Sequence, residues 1–93
     1  MGQKRLTTIY IVKVWAEHNG FEQAVDGYLY KQLPFGVLRI TFEEEDVLAV
    51  FQNSSVKIEE RLSITHLECT HAENIMPCWM KEILYRYINT LFR

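Results

Sequence analysis

Several things are scarce in this chain, and each scarcity removes a class of protein. Two cysteines, Cys69 and Cys78, among 93 residues are too few for a disulfide scaffold, and free thiols in a reducing compartment are expected. No apolar run approaches the roughly 20 residues that cross a bilayer, so no membrane association is expected. Met1 to Arg5 leads into a β-branched stretch without the apolar core and cleavage site of a secretory signal. A cytoplasmic location follows as the expectation. Ten Lys and Arg against twelve Asp and Glu give a net charge of −2, and the cations are scattered. Direct binding of nucleic acid through a basic patch is therefore not expected, because no stripe is present to displace counterions from phosphates. Repeats, linkers and low-complexity tracts are also missing. The acidic run Glu43 to Asp46 lacks the glycine and the spacing of a calcium loop.

Apolar residues are plentiful. They make up 48% of the chain, enough to close a core, and a second core would need roughly 50 further residues. Residues 1–93 are thus read as one α+β domain. Its organising stretch is Leu33 to Asn53, where Leu38, Ile40 and Phe42 alternate with Val37, Arg39 and Thr41, and Val47, Ala49 and Phe51 alternate with Leu48 and Val50. That period of two predicts a β-hairpin, with Glu43 to Asp46 as its solvated tip. Pro34 has no amide hydrogen for a ladder and is placed just before the first arm, with Gly36 as a bulge or bend.

The remaining elements are read in the same way. Thr7 to Glu17 is dense in β-branched and aromatic residues on both parities and reads as a central strand. His18-Asn19-Gly20 reads as its tight turn, and Phe21 to Lys31 as the returning strand. Val56 to Cys69 reads as a strand with one wet face, on which Glu60 interrupts the apolar set and suggests a bulge or an edge. Asn74 with Pro77 reads as the start of a helix whose apolar side carries Trp79, Met80, Ile83, Leu84, Tyr87, Ile88 and Leu91. The expected architecture is an antiparallel sheet of four to five strands built from hairpins, with one face covered by a C-terminal helix.

Candidate chemistry is thin. His66, Cys69, His71 and Cys78 lie within thirteen positions, and imidazole with thiolate suits tetrahedral zinc. In a regular strand His66 and Cys69 would face opposite sides, and the plain alternative makes both cysteines small buried hydrophobes. Cys78, placed after Pro77 at a helix N-terminus with His71 upstream, is the one candidate thiol nucleophile. No convergent set of acids and bases stands out, so no enzyme activity and no cofactor are expected. An uncovered sheet face carrying Tyr10, Val12, Tyr28 and Tyr30 would instead leave an apolar patch bare, which predicts a protein partner or a homodimer.

Two further pieces resemble the N-terminal domain of the methylguanine-DNA methyltransferase family. Pro34-Phe35-Gly36-Val37-Leu38-Arg39-Ile40-Thr41, followed by acidic residues and Val47-Leu48-Ala49-Val50, looks like that family's opening hairpin. Met80 to Phe92 is similar to the helix that closes the domain. The resemblance implies an accessory DNA-repair-like domain without its own alkyl-acceptor site. Pro77-Cys78-Trp79 lacks the histidine and arginine that follow that family's acceptor cysteine, so no catalytic residue is carried over.

Overall fold

The computed structural model describes residues 2–92, with side chains for 6–68 and 71–92. Its elements run α1 (Gly2–His18), β1 (Glu22–Gln23), β2 (Leu29–Leu33), β3 (Gly36–Phe42), β4 (Asp46–Gln52), β5 (Lys57–Ser63), α2 (Ile64–Thr70) and α3 (Ala72–Leu91). The five strands form one antiparallel sheet in sequential order, β1-β2-β3-β4-β5, and helices cover one of its faces.

The organising hairpin forms as its alternation predicts. Leu38, Ile40, Val47, Ala49 and Phe51 point inward and are buried. Register pairs Leu38 with Phe51 and Ile40 with Ala49, so inward residues stand opposite inward residues. From the other side Val12, Ala16, Leu67, Met76, Trp79 and Ile83 close the core. Pro34 and Phe35 form the two-residue turn between β2 and β3, with Leu33 paired to Gly36. Gly36 is no bulge but a close approach. A Cβ there would stand 2.5 Å from the Phe51 ring, so only hydrogen fits.

The first strand of the sequence reading is a helix instead. Thr7 to Glu17 belongs to α1, and Thr8, Val12 and Ala16, each four residues apart, face the core. Apolar side chains sit all around this helix, so neither the helical nor the alternating template fits its sequence, and β-branching tips a local reading toward strand. Packing against α2 and α3 overrides that propensity. Asn19-Gly20 does not turn a hairpin but ends the helix. The Phe21 amide donates to the Ala16 carbonyl at 2.9 Å and the Gly20 amide to Glu17 at 3.3 Å, with Gly20 at φ +87°. This is a Schellman cap, completed by the Phe21 ring against Trp15 with centroids 5.9 Å apart. Positive φ at the glycine serves both a hairpin turn and a helix cap, which is why the dipeptide misleads.

Two boundaries also move. The strand expected to run to Cys69 stops at Ser63, whose Oγ accepts from the His66 amide at 2.9 Å and caps α2. No bulge interrupts β5. It is an edge strand, and Glu60 points inward where Arg86 of α3 meets it. The last helix begins at Ala72 rather than after Asn74, with His71 at φ +60° forming the corner between α2 and α3. Pro77 therefore lies inside α3, where it removes the amide that would donate to Glu73.

Candidate functional site

Of the candidate metal ligands, the described side chains of His66, His71 and Cys78 do not come together. His66 is exposed on α2, His71 is exposed at the corner before α3, and Cys78 is exposed in the second turn of α3. The thiol is neither buried nor at a helix start, so Cys78 is neither the small buried hydrophobe nor the helix-N-terminal nucleophile of the sequence reading. Cys69 lies in α2, and its side chain is outside the described residues. Among the described residues no three His, Cys, Asp or Glu side chains come together as a metal site.

The four expected interface residues separate into two places. Tyr10 and Val12 belong to α1, not to the sheet; Tyr10 is 65% exposed, while Val12 is fully buried and unavailable to a partner. Tyr28 and Tyr30 stand on the solvent face of the sheet, their rings 6.2 Å apart. The Glu22 carboxylate beside the Tyr30 hydroxyl, which hydrogen-bonds to it, holds that phenol above its ordinary pKa of 10.0 because a second negative charge there is disfavoured. This face is screened by polar side chains. Arg39 donates to Gln52 at 3.0 Å, Lys57 pairs with Glu59 at 3.1 Å, and Arg61 pairs with Glu43 at 2.9 Å. Val50 among them is only 4% exposed.

Most of the large exposed apolar side chains lie on the helical layer, with Val25 and Phe35 in strand connections. Leu6 and Tyr10 of α1 and Tyr85, Ile88 and Leu91 of α3 are open, and Leu91 is 60% exposed. Between the helices and the sheet margin run three adjoining depressions of about 350, 220 and 330 Å³. The first lies between α1 and the start of α3 and shares Trp15 and Asn19 with the second. The second opens over the inner edge of β2 and shares Leu84 with the third, which ends at Phe35 and Leu91. Comparisons with protein-family models, curated proteins and solved structures give no match.

The third depression is held open by a fixed aromatic set. Phe35 stacks on Tyr87 at 5.5 Å with planes 7° apart, and both rings contact Phe51. Asn53 pins the Phe35 turn from behind, since its Nδ2 donates to the Phe35 carbonyl at 3.0 Å and its Oδ1 accepts from the Ser55 and Val56 amides. Lys31, in the second depression, was missed by sequence reasoning. Its signal is that it takes the inward parity between Leu29 and Leu33, where the strand pattern asks for an apolar residue.

Proposed function

We propose that this chain is a non-catalytic protein-interaction module that docks a partner on its helical layer. The observation that carries the reading is that Tyr10, Phe35, Ile88 and Leu91, four of the large exposed apolar side chains, line adjoining depressions beside α3. The trough's walls are mostly apolar, with Asn19 and Lys31 at the middle and His18 and Glu73 at one end, and His66, His71 and Cys78 do not line it. That supports recognition rather than acid–base or nucleophilic chemistry. The solvent face of the sheet, with Tyr28 and Tyr30, is the second candidate surface for partner binding or self-association.

Site-specific photocrosslinking in cells of the source organism tests this. A photoreactive phenylalanine analogue at position 91 is expected to give one discrete protein adduct, whereas the same group at the exposed loop position 54 gives none. An adduct from position 30 in place of 91 moves the docking surface to the sheet. No adduct from either, together with stoichiometric zinc in native mass spectra or a Cys78 thiol reactive at neutral pH, would sink the proposal.

A further inference from the structure

The three depressions have one wall in common. Glu73, Pro77, Met80, Leu84, Ile88 and Leu91 follow one another at spacings of four, three, four, four and three along α3. Such spacing keeps them on one side of the helix, in a stripe next to the core-facing side. The stripe extends over about 27 Å at 1.5 Å per residue, five turns of helix. The depressions, about 350, 220 and 330 Å³ in order along the helix, adjoin through Trp15, Asn19 and Leu84. A long, shallow, apolar trough walled by a helix is the receptacle of helix-in-groove recognition.

The trough has one cation at its middle. Lys31 reaches in from β2, level with Pro77, Met80 and Leu84. Its Nζ lies 6.0 Å from the Phe21 ring centroid, and no ion pair with a carboxylate is made by it among the described residues. An ammonium set in an apolar wall, in a chain of net charge −2, calls for an acid brought by the occupant. A second copy of this chain does not bring one when the twofold axis passes at the level of Lys31. Two α3 stripes packed antiparallel about a twofold axis at this level would set Lys31 against its own symmetry mate, while Glu73, the acid of the stripe, lies at the far end of the trough.

We infer that the trough along α3 receives an amphipathic helix of another protein, with apolar side chains at three- and four-residue spacing on either side of a central carboxylate that pairs with Lys31. The inference rests on the reading of this chain as an interaction module and specifies its partner.

Binding of labelled 18-residue helical peptides, followed by fluorescence anisotropy, tests it. Three peptides share one leucine stripe and differ only at its centre, which carries glutamate, glutamine or lysine. The glutamate peptide is expected to bind roughly tenfold more tightly than the lysine peptide, a difference of about 1.4 kcal/mol. Lys31→Glu reverses that order, which a misfolded variant would not do, and Ile88→Asp, at an exposed position, weakens all three peptides. Equal affinity for the three, or an order unchanged in Lys31→Glu, overturns the charge-selected partner and leaves the interaction reading standing. Binding of none overturns the trough as a helix receptacle. The crosslink from position 91 then decides separately whether the module reading survives.

Discussion

Gly36 shows how much of this fold depends on a missing atom. It opens β3 directly over Phe51, and the space a methyl group would need is occupied by the ring at 2.5 and 2.6 Å and by the Gln52 carbonyl at 2.9 Å. The ring cannot yield easily, because it is fully buried and packed against the rings of Phe35 and Tyr87. Gly36→Ala is therefore expected to destabilise the domain by about 1–3 kcal/mol, the usual cost of overpacking a filled core, read as a lower urea midpoint with an unchanged m-value. The same reasoning separates this glycine from Gly20, where a Cβ would find only the flexible end of Lys31 at 3.5 Å and backbone conformation alone is at issue.

At the scale of elements, the strands were legible and the helices less so. The β3–β4 hairpin could be read because one face is buried and the other wet, which writes a period of two into the residues themselves. Four of the buried α3 residues, Trp79, Met80, Ile83 and Met76, sit on the side its sequence marks as apolar or beside it. By contrast α1 carries apolar residues in all directions, and nothing in eleven consecutive residues tells a helix packed by other helices from a buried strand. α2 is only seven residues long, and its one local sign is Ser63, which also fits a strand end. The trough was not legible at all, since its walls come from α1, β2 and α3 and meet only through tertiary structure. The Schellman cap offers a test of the helical assignment of α1. Gly20→Ala puts a side chain at φ +87° and should cost about 1 kcal/mol. Gly20→Asn should cost less, because asparagine tolerates that region. Paired thermal melts of the two variants check the order. A hairpin turn in place of the cap would leave helical circular dichroism unaffected by either change.

At the scale of the molecule, the sheet and the helical layer are built on different logics of chain separation. Every strand pairs with its neighbour in sequence, whereas Val12 and Ala16 of α1 share a core with Met76, Trp79 and Ile83 near the other end of the chain. Truncating Val12, which is fully buried, should destabilise the protein by roughly 1.5–3 kcal/mol. Most of that loss is expected in a faster unfolding rate rather than a slower folding rate, because contacts closing the longest loop form late. Chevron plots of Val12→Ala would show a raised unfolding limb and a nearly fixed folding limb. A folding limb that drops by the full amount would place α1 in the folding nucleus instead.

The order of synthesis gives the N-terminal helix a further consequence. α1 leaves the ribosome before the five strands, and its partners α2 and α3 are translated only after them. During that interval the inner face of the sheet is the native surface open to α1, and the side of the helix that packs on α2 and α3 has nothing to lie against. The nascent chain thus carries a half-covered hydrophobic helix until α2 and α3 have emerged, the condition under which a growing polypeptide engages chaperones or a neighbouring chain.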